Sequence, residues 1–370
     1  MYQRSELVRG AFQGLDLQQV WDSHAHLVGI GDSPSGIYLN PRMYSTLHPA
    51  HFLRRLAFLN AGCAYDLEGR SIDAAYVRRM LILMDGMRRG FKLMLFAFDR
   101  TYGGDGKVDW DRTAFHVPDG YARELAREHP RYFEWVCSIH PYRRDCAEAL
   151  EQAKADRARA VKWLPASMGI DPASPLCDRF YEAAARLRMP VITHAGEERA
   201  VLGTDVQEYG NPLRLRRALD AGVRVVVAHC ASMGEDRDTD RGEHGPFVSS
   251  FDLFARLFDD KRYERNLYGD LAAITQSVRA LHLAQVIERE DWHPRLLNGS
   301  DYPLPGLMPI FSVKYLVSLG LVQESAVELL TYIREFNPLL FDFVLKRHLR
   351  SNGKALPASV FETRRFFEPA

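Results

Sequence analysis

The 370-residue chain has no apolar run long enough to span a bilayer, and its opening MYQRSELVRGAF lacks the apolar core of a secretion signal. Net charge is missing too: 48 Lys and Arg balance 48 Asp and Glu, and no block of like charges occurs. That argues against nucleic acid and anionic membranes as partners. Cysteine is sparse. Cys63, Cys137, Cys146, Cys177 and Cys230 are odd in number and scattered, without the paired spacing of a metal site. They are expected to be reduced, mostly buried thiols. No internal repeat, low-complexity tract or glycine-rich dinucleotide loop is present. What these absences leave is a globular protein expected in the cytoplasm, and an apolar fraction of 46% is ample for one large core.

Within that core, short apolar runs alternate with helical patterns. The runs are QQVWDSH (18–24), FKLMLFAF (91–98), FEWVCSIH (133–140), ARAVKWL (158–164), PVITHA (190–195), VRVVVAH (223–229), NLYGDLA (266–272) and RLLNGSD (295–301). Several are apolar along most of their length, as parallel strands buried on both faces should be. Helical patterns fill the gaps at 72–90, 118–129, 145–158, 175–188, 211–222, 245–260, 275–290 and 323–336. Strict alternation through eight strands predicts an α/β fold of the (β/α)8 TIM-barrel type rather than an open sheet.

Two stretches depart from a minimal barrel. Residues 27–71 form a very long connection after strand 1, with a small helix at PAHFLRRLAFLNAG. Tyr38, Tyr44, Phe52, Phe58 and Tyr65 make it too aromatic for disorder, so it is expected to be a lid over the barrel mouth. After Glu335, NPLLFDFVLKRHLR reads as an extra amphipathic helix flanking the barrel, and residues from about Ser351 look irregular. The expected organisation is one catalytic domain over 1–350 and a C-terminal tail over 351–370.

The chemistry centres on VWDSHAHL, residues 20–27. On a strand, His24 and His26 point the same way, about 6.6 Å apart along the chain, so both imidazoles can converge on one ion beyond the strand end. Other apolar runs also end on polar residues: His140 on strand 3, Lys162 on strand 4, His194 on strand 5, His229 on strand 6 and Asp301 on strand 8. A barrel gathers all these ends on one face, where active sites of this fold sit. A lone histidine at a strand end is more often a satisfied polar residue than a ligand. Several at one mouth point to a metal site.

His-x-His on strand 1, His on strands 5 and 6, Asp on strand 8, and the strings PVITHAG, VVVAHC and NGSDYP resemble the amidohydrolase superfamily, most closely its amidohydrolase-2 branch. The resemblance runs from Asp22 to about Leu345. It implies a metal-dependent barrel hydrolase, usually using zinc, that activates water for attack on a carbonyl or phosphorus centre. Imidazole and carboxylate donors suit Zn²⁺, and also Mn²⁺ or Fe²⁺. Asp301 could touch the metal with one oxygen and water's proton with the other, as both ligand and general base.

Lys162 requires an explanation, because an ammonium beside a divalent cation is repelled. In similar binuclear members a strand-4 lysine is carbamylated and bridges two metals. His24, His26 and Asp301 would then hold one ion, and His194 and His229 the other. Two ions are favoured on this reading. The competing account keeps Lys162 protonated against a substrate carboxylate or an acidic neighbour, with one metal and His229 as an acid/base.

The leading expectation is therefore hydrolysis of an ester, lactone, amide or phosphoester bond. The alternative is a single-metal, non-oxidative decarboxylase or lyase acting on an acidic aromatic substrate. His140 is a candidate substrate contact, Asp22 an orienting residue, and Arg199, Arg237 and Arg241 loop candidates for binding a carboxylate. The expected partner is a small-molecule substrate, and exposed apolar residues on the lid or tail could support a homodimer, the sequence leaving the assembly open.

Overall fold

The computed structural model describes residues 5–64, 71–307 and 309–368. Tyr65 and the rest of 65–70 in the long connection lie outside the described residues. Eight parallel strands form a closed ring: β1 (Trp21–His26), β2 (Lys92–Phe96), β3 (Phe133–Val136), β4 (Val161–Trp163), β5 (Val191–His194), β6 (Val225–Ala228), β7 (Leu267–Asp270) and β8 (Leu296–Leu297). Continuous ladders join β1 to β3 and β4 to β8. Two narrower seams close the circle. Between β3 and β4, Cys137 pairs with Val161, and the Lys162 N–H donates to Cys137 O at 2.8 Å. Between β8 and β1, Ala25 pairs with Tyr302, and the Asp301 N–H donates to His24 O at 2.8 Å. Seven of the eight strands lie within the apolar runs of the sequence, β1 runs two residues past its run to His26, and the fold is a TIM barrel.

Alternation along each strand sorts side chains into two cores. Odd-numbered residues of β4, Val161 and Trp163, pack outward under the helices, whereas Ala160 packs inside with Met94, Phe96, Val136, Ile192, Val226 and Leu297. The same parity carries Ile192 to His194, Ala160 to Lys162 and Leu297 to Asp301, so interior strand positions turn polar toward the C-terminal rim. Strand β1 reaches the rim differently. Trp21 is interior, yet His24, three residues on, also faces the barrel mouth; an extra residue between Asp22 and Ala25 in the β1–β2 register makes this possible. A bulge of this kind re-aims side chains beside a site.

Helices Ile72–Asp85, Asp119–Glu128, Cys146–Ala155, Asp178–Arg186, Ser250–Asp259 and Val327–Phe336 cover the outer face. The first is capped by Ser71, whose hydroxyl accepts from the Ala74 N–H. The pattern over 275–290 yields only a short α-helix, Leu283–Glu288, preceded by a 3₁₀ turn at Ala280–His282. Residues 275–279 belong instead to the β7 loop.

Helix Pro338–His348 is buried through Lys346 rather than amphipathic, and the Lys346 ammonium reaches Gly299 O at 2.6 Å and Asp342 at 2.7 Å. Beyond Ser351 the chain is not irregular throughout: short helices form at Ala358–Phe361 and Arg364–Phe367. Phe366 and Phe367 join Trp21, Met94 and Val136 inside the N-terminal end of the barrel, plugging it. All five cysteines are free, and only Cys63 is exposed. Among the described residues no helix is long and apolar enough to cross a membrane.

Candidate metal and active site

Three donors converge at the C-terminal mouth. His24 Nε2 and His26 Nε2 are 3.2 Å apart, and Asp301 Oδ1 lies 3.3 Å from the first and 3.0 Å from the second. Ligands about 2.0–2.2 Å from one ion stand roughly 3.0–3.5 Å from each other, so this triangle fits a divalent cation. The local backbone is specialised for it. Asp301 sits at φ +64°, a left-handed conformation that non-glycine residues rarely adopt. Gly299 passes so close to β1 that a Cβ would meet the His24 Cβ at 2.5 Å. Asp22, buried between the two strands, accepts from the His24 N–H at 3.1 Å and the Ser300 N–H at 2.8 Å, tying the ligand-bearing ends together.

Lys162, His194 and His229 line the same cavity, whose volume is about 380 Å³, within the usual range for small-molecule sites. Lys162 Nζ lies 3.1 Å from His24 Nε2 and 5.0 Å from the centre of the Phe96 ring. His229 Nδ1 donates to Ala272 O at 2.7 Å, leaving Nε2 on the side of Asp301 Oδ2, 3.9 Å away. The turn that aims it holds His229, Cys230 and Ala231 all at positive φ. His194 has Glu198 at 3.5 Å and the Glu197 carbonyl at 3.3 Å. Leu27, Ile37, Met43, Arg55 and Phe58, from the connection after β1, supply another wall.

His140 is not brought to this cavity. It is fully buried, with one ring nitrogen 3.0 Å from Met168 O and the other accepting from the Tyr142 N–H at 3.2 Å. Both nitrogens serve the backbone. Of the loop arginines, Arg199 lines the cavity and pairs with Glu197, whereas Arg237 donates to Gly245 O and Arg241 pairs with Asp238.

The amidohydrolase family model, Amidohydro_2, matches residues 21–309, from the first residue of β1 to just past Asp301. The chain belongs to the amidohydrolase family. Among solved structures, a TIM-barrel protein from Bordetella bronchiseptica shares 18% identity over 87% of this chain and 99% of its own, with a TM-score of 0.48. A protein from Pseudomonas putida assigned as a 2-pyrone-4,6-dicarboxylic acid hydrolase shares 15% over 95% and 98%, TM-score 0.46. A 5-carboxyvanillate decarboxylase from Novosphingobium aromaticivorans, with manganese bound, shares 10% over 95% and 98%, TM-score 0.49. No curated protein matches the chain. Family membership makes this chain an enzyme acting on small molecules in a divalent-metal-dependent way.

In this amidohydrolase the electrostatics prepare the donors for a cation. Burial, reinforced by the nearby Lys162 charge, holds His24 well below its ordinary pKa. Burial does the same for His229 with help from Arg279, and it also lowers His194 against the opposing pull of Glu198. Ligand imidazoles must be neutral, and burial favours that form here, against the pull of Asp301 at His24. Burial would raise Asp301, but His24 and His26 outweigh it and hold the carboxyl below its ordinary range. Burial pushes the Lys162 amine down to about 8 against Asp270, Asp301 and Glu198.

Two further residues, one behind His24 and one in the cavity wall, do not stand out in the sequence as the strand-end residues do. Asp270, at the interior end of β7, lies 2.6 Å from His24 Nδ1 and also accepts from the Ala272 N–H. It fixes the His24 tautomer so that the Nε2 lone pair faces the site, as carboxylates behind metal-bound histidines do. Its role is therefore that of a partner at Nδ1 rather than a donor to the same ion. Arg279, on the β7 loop, lines the cavity and is 5% exposed. Interior parity could have pointed to Asp270; the helical pattern of its surroundings concealed Arg279.

Proposed function

We propose that this amidohydrolase hydrolyses an ester, lactone, amide or phosphoester bond, with Asp301 as general base. The observation that carries the reading is the arrangement of the Asp301 carboxylate. Its Oδ1 is shared with His24 and His26, while Oδ2 turns toward the lone pair of His229 across 3.9 Å. His24, His26 and Asp301 would hold a divalent ion, with zinc the first choice for this donor set. When bound, the ion supplies Lewis acidity, polarising a carbonyl or phosphoryl oxygen and making water acidic enough to attack it. Asp301, kept ionised by its imidazole neighbours, takes the proton at Oδ2 and returns it to the leaving group. Residues 27–59 of the connection after β1, several of which line the cavity, would act as a lid that excludes bulk water.

Lys162 decides how many ions are held. Its Nζ competes for the His24 lone pair, so it must lose its charge or move when a cation binds there. A buried amine with a pKa near 8 has a usable neutral fraction; Nζ can attack CO₂, forming the N–C bond of a carbamate and releasing a proton. The carbamate, His194 and His229 would then hold a second ion. A second reading, a single-metal decarboxylase with His229 as proton donor, is favoured by one observation: among the described residues neither three-donor cluster includes His194.

Elemental analysis of protein purified without chelators, combined with a panel of esters, lactones, amides and phosphoesters, tests both readings. Two metals per chain and turnover on the panel are the expected result. One metal per chain, no turnover on the panel and CO₂ release from aromatic acids would replace hydrolysis with decarboxylation.

A further inference from the structure

The loop after β7 carries a guanidinium with two donors that lack an acceptor among the described residues. Arg279 is nine-tenths buried and lines the cavity, yet its Nε and Nη1 have no hydrogen-bond partner there. Leaving a buried charge unsatisfied is costly, and structural arginines avoid it. Arg334 in the same chain shows the ordinary solution: its Nε, Nη1 and Nη2 donate to the carbonyls of Pro305, Phe311 and Leu307 at 2.9, 3.1 and 2.7 Å.

The acids near Arg279 are already engaged. Asp301 faces His24 and His26, and Asp270 faces His24 Nδ1 and the Ala272 N–H. Glu198 accepts from the Val201 N–H at 2.9 Å and lies beside His194. A divalent ion at the mouth would add positive charge to a cavity that already contains this cation. The surrounding wall is largely apolar, with Val201, Met233, Leu304 and Ile310 among its residues, and Gln276 stands three positions before Arg279 on the same wall. A planar fork of donors in an apolar chamber matches a planar oxyanion on an apolar body.

We propose that Arg279 is the anchor for a carboxylate carried by the substrate, so that this site takes an organic acid with a compact apolar body. The assignment deepens the hydrolytic reading, on which it rests for the fate of the rest of the molecule. The carboxylate itself is bound and not transformed. Arg279 also helps to keep His194 and His229 neutral. A purely electrostatic role of that kind would change metal retention and leave the choice between charged and neutral ligands untouched.

The test is calorimetric titration of the full chain, metal-loaded and chelator-stripped, with benzoate and its neutral analogue benzamide. The expected result is a preference for benzoate of about tenfold or more in both preparations, the size expected of charge-assisted hydrogen bonds. Arg279→Gln should abolish the preference in both preparations, and Arg279→Lys should retain part of it. Equal affinities in the unsubstituted protein, or a preference that survives Arg279→Gln, would overturn the proposal. So would a preference confined to the metal-loaded form, because the metal would then be taking the carboxylate. If Arg279→Gln does not fold, the unsubstituted protein and Arg279→Lys decide. Failure of the hydrolysis panel would leave a benzoate preference standing, whereas loss of the preference would leave hydrolysis standing, so the two readings fail separately.

Discussion

The two ends of this barrel are built from opposite materials. The N-terminal end is hydrocarbon: Trp21, Met94, Val136, Phe366 and Phe367 fill it. The C-terminal end holds His24, Lys162, Asp270 and Asp301, all at most 4% exposed, with Arg279 beside them. One end gains stability from burial and the other loses it, because each ionisable group there has been moved out of water. The mouth can be assembled because the floor beneath it is well packed. Phe96 marks the boundary, with its ring against His24 on one side and the apolar plug on the other.

Substitutions at the two ends should therefore separate activity from stability. The largest effect is expected from Asp301→Asn, which should lower turnover by about 10²–10⁴ or more through loss of the base, while thermal unfolding of the metal-free protein changes little. Steady-state assays beside melting curves check this. At the opposite end, Phe366→Ala should cost about 3–5 kcal/mol of stability without altering metal content or KM; denaturant unfolding checks this, and a shift in KM would mean that the ends are coupled.

Lys162→Met should inactivate the enzyme and yet stabilise it. The folded-state pKa of Lys162, about 8, lies below the ordinary lysine value of 10.5, so between these values the unfolded chain binds more protons. Stability of the metal-free protein should rise with pH across that window, with the full penalty present below pH 8. Removing the amine should raise stability at pH 7 by up to about 3 kcal/mol and flatten the dependence above pH 8. Unfolding curves at pH 7, 8, 9 and 10 would show it, and an unchanged slope would mean that Lys162 is not the group responsible. The smallest effect is expected from Asp270→Asn. Freeing the His24 tautomer should weaken metal binding by about 10–100-fold while leaving the fold intact, as competition with a chelator would measure.

Most of the barrel was legible because buried parallel strands write their own signature, and polar residues at the ends of apolar runs are conspicuous by contrast. His24, His26, Lys162, His194, His229 and Asp301 all stood out in that way, and all line one cavity. What escaped depends on distant parts of the chain. Asp270 is one acid in an unremarkable run, and its meaning lies in His24, 246 residues earlier. Arg279 falls in TQSVRALHLAQVIERE, whose apolar spacing suits a helix, but the α-helix begins only at Leu283. Phe366 and Phe367 looked like part of an irregular tail because nothing local announces the open barrel end that they fill. His140 had the same strand-end signature as the others, but its two ring nitrogens are taken by backbone groups.

Gly299 bears on how relatives of this enzyme should be counted. It contributes no donor to the metal triangle, but it leaves room where the chain after β8 brushes the His24 Cβ. A single added methyl would shove that imidazole out of line while every histidine, the lysine and the aspartate stayed in the text. A gene with alanine here would pass any inventory of ligands and still encode a silent barrel. Pseudoenzymes of this lineage can therefore hide in plain sight, distinguished by an absent hydrogen rather than a missing acid.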